Sequence, residues 1–121
     1  KQFMKGMQQI AQEGAIQIFQ EYNMGMEEVI VGVVGVLQFD VLKYRLENEY
    51  NVEIRMDNLP YEHIRWIENE EIDMDKLVGT SDMKKIQDLK GRPLLLFVNA
   101  WSVGMVLDRN EGLVLSEFGR E

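Results

Sequence analysis

Apolar and polar positions along this chain switch between two periods, and the switches mark out its elements. Phe3, Met7, Ile10 and Ala11 recur at helical spacing among lysines and glutamines, and Gly14 stands where a left-handed residue closes a helix. Ile16 and Ile18 then alternate with Gln17. Because Gly14 interrupts a competing helical pattern through Ala15, Ile18 and Tyr22, this stretch is predicted as a strand running to Tyr22. Asn23-Met24-Gly25-Met26 carries turn chemistry, and the apolar run Val29 to Val34 predicts a buried return strand.

After Gly35 the period changes again, predicting a helix from about Val36 to Tyr50. Its apolar residues form two stripes: Leu37, Val41 and Tyr44 on one side, and Phe39, Leu42, Leu46 and Tyr50 roughly opposite. Narrow polar rows, Gln38/Arg45/Glu49 and Asp40/Lys43/Glu47, separate them. A helix lying on a solvated sheet needs one such stripe. Two imply a helix packed between layers, or one stripe facing a partner domain.

Asn51 to Asn58 alternates as a strand, with Val52, Ile54 and Met56 on one face and Glu53, Arg55 and Asp57 on the other, until Leu59-Pro60 breaks it. A further strand is predicted over Tyr61 to Glu68, with Ile64 and Trp66 on one face and His63, Arg65 and Ile67 on the other. The acidic run from Glu68 to Asp75 reads as a solvated loop leading into a short helix. Thr80 or Ser81 is placed to N-cap a helix from Asp82 to Leu89, which Gly91-Arg92-Pro93 ends. Leu94 to Val98 has the composition of a buried strand. Asn99 is placed to cap a helix reaching about Arg109, and Asn110-Glu111-Gly112 turns into a last strand, Leu113 to Phe118.

Composition narrows the function classes. At 121 residues the chain fits one domain with a small core. It has no cysteine, so thiolate catalysis, disulfides and cysteine metal sites are excluded, and a cytoplasmic location is expected. The longest apolar run, Val29 to Leu37, is about half a membrane span. The formal net charge is −8, shared equally by the halves either side of Pro60, so DNA or RNA binding driven by bulk counterion release is not expected. The chain opens at Lys1 in helical sequence with no signal peptide, which suggests a piece of a larger protein.

Motifs for chemistry are sparse. No Gly-x-x-x-x-Gly-Lys-Ser/Thr occurs, and Gly32-Val33-Val34-Gly35 reads as a bend allowing close helix–strand contact rather than a phosphate cradle. The run 68–75 lacks calcium-loop spacing. His63, the single histidine, reads as a half-exposed strand position, and Trp66 and Trp101 read as core anchors. No catalytic, cofactor or metal residue is expected. Lys43, Arg45, Arg55, Arg65, Lys84 and Lys85 are the candidate partner contacts, and Arg45, Arg55 and Arg65 could form a basic strip unless they pair with neighbouring acids.

The string Gly32-Val33-Val34-Gly35-Val36-Leu37-Gln38-Phe39, followed by a helix and Asn51-Val52-Glu53, resembles the third domain of the translational GTPases. The pattern there is roughly Gly-x-Gly-Glu-Leu-His-Leu, a helix, then Phe-x-Val-Glu. Gly35-Val36-Leu37-Gln38-Phe39-Asp40-Val41-Leu42-Lys43-Tyr44-Arg45-Leu46, with Glu49-Tyr50, is similar in wording to the bacterial peptide chain release factor 3 branch. So are Lys1-Gln2-Phe3, Gln12-Glu13-Gly14-Ala15-Ile16-Gln17, Arg65-Trp66-Ile67 and Arg92-Pro93-Leu94-Leu95-Leu96-Phe97-Val98-Asn99 before Trp101. Val36 and Gln38 stand where elongation-type members carry Glu and His, which favours the release-factor branch.

The resemblance implies an α+β fold: a ferredoxin-like first half lacking its first strand, then a mixed β-α-β-α-β extension on the same layers. It implies one C-terminal domain over residues 1–121, with GTP, Mg²⁺ and their GTP-binding domain, and a β-barrel domain, outside this chain. It further implies a non-catalytic role in a factor that recycles class-1 release factors, docking on the ribosome mainly near the small subunit and signalling between domains. The ferredoxin-like strand that would precede the first helix lies inside its sheet, so Leu94 to Val98 is expected to fill the gap, or the neighbours to close up. Rival readings are the third domain of another translational GTPase, a small-molecule-binding regulatory module, and an acylphosphatase-like enzyme. The last would need an arginine in a phosphate-cradling loop before the first helix.

Overall fold

The structure, a computed structural model, describes residues 2–14, 16–22, 29–33 and 35–117. It is a mixed α+β chain, compatible with a ferredoxin-like fold, with elements α1 (Gln2–Gln12), β1 (Ile16–Glu21), β2 (Val29–Val33), α2 (Leu37–Glu49), β3 (His63–Ile67), β4 (Met83–Asp88), β5 (Pro93–Phe97), α3 (Ala100–Arg109) and β6 (Leu115–Ser116). The predicted Asn23–Met26 turn lies outside the described residues. Two compact units divide the chain: Lys1–Phe19 with Glu28–Asn58, and Gln20–Glu27 with Leu59–Glu121.

In the first unit, the helical spacing of Met7 and Ile10 on α1 and of Leu42 and Leu46 on α2 turns those four side chains into one core, shared with Ile16 and Ile18 of β1. Val29, Val31 and Val33 of β2 pack against it. Gly6 sets the distance between the helices. A Cβ on it would lie 2.9 Å from Leu46 Cδ2 and from the Tyr50 ring. Gly14 ends α1 at φ +85°, as its position suggested. Asn51, at φ 57°, turns the chain after α2 so that Val52 N–H donates to Leu46 C=O at 3.0 Å. Asn is among the few residues other than glycine that visit this region readily.

Two expectations fail here. Residues 51–58 form no strand, although the alternation survives as burial: Val52 and Ile54 are half-buried, Ile54 against the core, while Glu53 and Arg55 face solvent. A strand needs a partner ladder as well as a pattern, and β2, last in its strand order, neighbours β1 alone. Nor does Leu94 to Phe97 fill the gap beside β2: in the strand order β2-β1-β4-β5-β3-β6 it lies between β4 and β3.

In the second unit β5 is central. It runs antiparallel to β4 (Ile86 opposite Leu94) and to β3 (Arg65 opposite Leu95). β3 carries β6 on its other side, with Ile67 opposite Leu115. Leu94, Leu95 and Phe97 are fully buried, as a strand flanked on both sides requires. Leu95 and Phe97 join Ile67, Met74, Leu77 and Val106 in the core. The acidic stretch 68–75 therefore pins its end inward through Met74 rather than starting a helix, and closes in a turn where Lys76 N–H meets Asp73 C=O at 3.1 Å.

The predicted helix 82–89 is the strand β4. Its capping residues serve another element. Asp82 accepts from Thr80 Oγ1 at 2.6 Å and from Ser102 Oγ at 3.0 Å, so its carboxylate supports the start of α3. β4 and β5 form a hairpin closed by Gly91 at φ 83°, and the Asp88 carboxylate fills the turn. It accepts from Lys90 N–H and Arg92 N–H, both at 2.9 Å, and from Arg92 Nε–H at 2.7 Å.

Candidate interaction surface

The two stripes of α2 separate cleanly in the structure. Leu42 and Leu46 are buried and Phe39 and Tyr50 half-buried, whereas Leu37, Val41 and Tyr44 are 71%, 51% and 66% exposed. Val36, just before the helix, is 81% exposed, in line with Asp40 and Lys43. The start of α2 has no capping side chain at Val36. Gln38 Oε1 accepts Gly35 N–H at 3.3 Å, and the Gln38 and Phe39 amides donate to Gly35 O and Val36 O at 3.0 and 3.1 Å. A Cβ on Gly35 would meet nothing within 4 Å, and one on Gly32 would make ordinary contact with Phe19 and Gln17, so the glycine pair does not mediate close packing. That role falls to Gly6, which sequence reasoning missed.

The candidate cations are placed variously. Arg45 lies between two acids, donating to Glu13 through both terminal nitrogens (2.6 and 3.0 Å) and to Glu49 at 3.0 Å. These bonds raise the arginine pKa and hold Glu13 below the ordinary carboxylate value. Arg55 lies 3.4 Å from Asp57 on an exposed segment. Arg65 lies 3.4 Å from Glu117 and donates to its own neighbour's carbonyl, Ile64 O. Lys84 lies 3.4 Å from Glu21. Lys85 Nζ donates to Met74 O at 2.6 Å and Leu77 O at 3.0 Å, closing the loop rather than facing a ligand. Lys43 is exposed on α2 beside Tyr44.

Of the tryptophans, Trp66 is half-buried under the Arg92 guanidinium, 4.9 Å from its ring centroid. Trp101 is no core anchor: it is 68% exposed. Asn99 Oδ1 accepts Ser102 N–H at 2.9 Å, and this cap fixes the phase of α3 so that Ser102 and Val106 point inward and Trp101 outward. Ser102 Oγ is buried among Asp82 and Asn99; the Thr80 hydroxyl chiefly, and Ser102 after it, hold the Asp82 carboxyl below its usual pKa.

A cleft of ≈ 510 Å³ in the second unit is lined by Glu71, Asp73, Lys76 and Arg109 among others. Its amides are already engaged: Asn110 bonds both backbone groups of Val78, and Asn69 bonds Gly112 O and Val114 N. Among the described residues no group of three acidic or histidine side chains is set to hold a metal ion, and no helix is long and apolar enough to cross a membrane.

Residues 1–107 match the family described as class II release factor RF3, C-terminal domain. The chain belongs to this release factor 3 family. It is 42% identical over 114 residues to peptide chain release factor 3 of Symbiobacterium thermophilum, covering 94% of this chain and 21% of that protein. The Streptococcus mutans protein of the same name is 40% identical over 97% of this chain and 22% of its own length, and that of Nostoc punctiforme 39% over 96% and 21%. The chain thus spans about a fifth of the length of the release factor 3 proteins it matches. The match to the family's C-terminal domain covers the first unit and the second as far as residue 107.

Proposed function

We propose that this chain is a non-catalytic docking module of a translation-termination GTPase. In this reading the whole factor promotes recycling of class-1 release factors from the ribosome, in the cytoplasm. GTP and Mg²⁺ are bound by a domain outside this chain. The module contributes a ribosome-facing surface and relays the nucleotide state between domains. The match to an RF3 C-terminal domain carries this reading. The polar cluster Asp82–Ser102–Asn99 is taken up in capping α3.

Lys43 and Arg55 are the candidate ribosome contacts with most access to solvent. The test is co-sedimentation of the full-length factor with ribosomes in a non-hydrolysable GTP analogue. Lys43→Glu with Arg55→Glu is expected to weaken binding and flatten its response to added salt. A factor lacking residues 1–121 that still binds ribosomes and recycles release factors normally would refute the reading.

A further inference from the structure

We propose that the cap end of α3 is a docking point for an arginine of a basic protein segment, with the Trp101 indole as stacking face and the Asp82 carboxylate as counter-charge. Trp101 is 68% exposed, and among the described residues no cation lies over its ring. Gly104, one turn further on, leaves the approach open, since a Cβ there would meet nothing within 4 Å. The Asn99–Ser102 cap bond fixes the phase of the helix, so the indole is displayed by an anchored element. Tryptophan and arginine are among the residues most enriched at binding hot spots.

The fold already contains this arrangement in complete form. Arg92 lies 4.9 Å from the Trp66 ring centroid while its Nε–H donates to Asp88 at 2.7 Å. Trp101 and Asp82 supply the same aromatic and the same carboxylate without the arginine. Asp82 is half-buried and tied to the first turn of α3 by Ser102 Oγ, 3.0 Å from Oδ1 and 3.1 Å from Oδ2. Helical side chains lean toward the N-terminal end, which brings the indole to the turn that Asp82 supports. The Thr80 and Ser102 hydroxyls that reach this carboxylate are neutral and favour its ionised form.

Charge selects the occupant. Glu62 N–H bonds Phe97 O at this end of the sheet, and Asp108 stands two turns along the Trp101 face of α3. Among the described residues Asp82, Glu62 and Asp108 have no lysine or arginine in ion-pair range. Unneutralised carboxylates repel a phosphate backbone and attract a cation. A guanidinium suits the site better than an ammonium, because its plane stacks on an indole while its edge pairs with a carboxylate. A second copy is disfavoured by the shared net charge of −8.

The inference goes beyond the docking reading and requires no ribosome. The probe is a short peptide of alternating arginine and glycine, titrated into the full-length factor carrying 5-fluorotryptophan. Trp101→Phe and Trp66→Phe assign the two fluorine signals. The Trp101 signal is expected to shift saturably, while that of Trp66, already stacked under Arg92, stays in place. The matching citrulline peptide, which keeps the shape and loses the charge, should leave Trp101 unmoved. Asp82→Asn, which keeps an oxygen for Thr80 and Ser102, should weaken binding about two- to fivefold, as loss of an exposed ion pair does. No shift of Trp101, an equal shift with citrulline, or parental affinity in Asp82→Asn overturns the inference. So does a Trp101 signal that moves with oligouridylate instead, which indicates RNA, or with the factor's own concentration, which indicates a second copy. If Asp82→Asn displaces the Trp66 signal as well, salt decides in the parent. Affinity for the arginine peptide should then fall between about 50 and 500 mM salt, and an unchanged affinity overturns the inference.

Discussion

The Tyr50 ring occupies the space that a side chain on Gly6 would need, with ring carbons 2.9 Å from the position of a Cβ. Tyr50 Oη donates to Gln9 Oε1 one turn along the same helix, so the ring is held at both ends. Gly6→Ala therefore forces a shift against this ring and against Leu46, which is fully buried. Overpacking costs about 1–3 kcal/mol, and the better helix propensity of alanine returns up to ~1 kcal/mol. A net loss of roughly 1–2 kcal/mol in urea unfolding is expected. A variant as stable as the parent would show that the helices separate freely.

The stripes of α2 should respond in opposite ways. Leu46→Ala removes a fully buried side chain from the first core and is expected to cost about 2–5 kcal/mol. Val41→Ala, on the exposed row, should change the stability of this chain by no more than about 0.5 kcal/mol. Denaturant midpoints measured side by side decide it, and equal losses would mean that the outer row is packed within the chain itself.

Acid should reveal the Asp82 cluster. Its folded pKa is lowered, chiefly by the Thr80 hydroxyl and further by Ser102. Its contribution is therefore fully present above the unfolded carboxylate value, about 3.9, and disappears as pH falls through the lower folded value. The stability gap between the parent and Asp82→Asn should hold steady from about pH 7 to 5 and narrow below about pH 4. A gap as wide at pH 3 as at pH 7 would remove Asp82 from the acid response.

The β4–β5 turn rests on Asp88. Truncating it removes the carboxylate that accepts from the amides of Lys90 and Arg92 and from Arg92 Nε–H. Asp88→Ala is expected to cost about 1–3 kcal/mol, and the side-chain resonances of Trp66 should shift as Arg92 moves. Unchanged Trp66 signals would uncouple the turn from the stacked pair.

Local grammar made α1, α2, α3 and β5 legible: Gly14, Asn99 and Gly91-Arg92-Pro93 lie beside the elements they bound, and α2 showed in its helical period after Gly35. β4 was misread because its capping chemistry acts at a distance. Thr80 and Asp82 look like the start of a helix in sequence, but Asp82 takes its bond from Ser102, twenty positions away. Residues 51–58 were misread for the converse reason, since alternation records which face is buried without showing whether a neighbouring ladder exists. On the surface, the doubled stripe of α2 was readable as a face in excess of what its own sheet needs. The exposure of Trp101 was not, because an aromatic side chain at helical spacing carries no mark of which way its helix is turned. The pairing of Arg45 with Glu49 followed from i, i+4 spacing, while Glu13 needed the tertiary fold.

The free side of β2 bears on how this chain behaves when concentrated. Val29-Ile30-Val31-Gly32-Val33 contains no lysine, proline or other gatekeeper, and among the described residues one of its edges has no neighbouring strand. Such a segment templates strand addition between molecules, while the net charge of −8 keeps those molecules apart. Salt screens the repulsion but leaves the template intact. Colloidal lifetime should therefore shorten as ionic strength rises, even where the fold itself stays as stable as before.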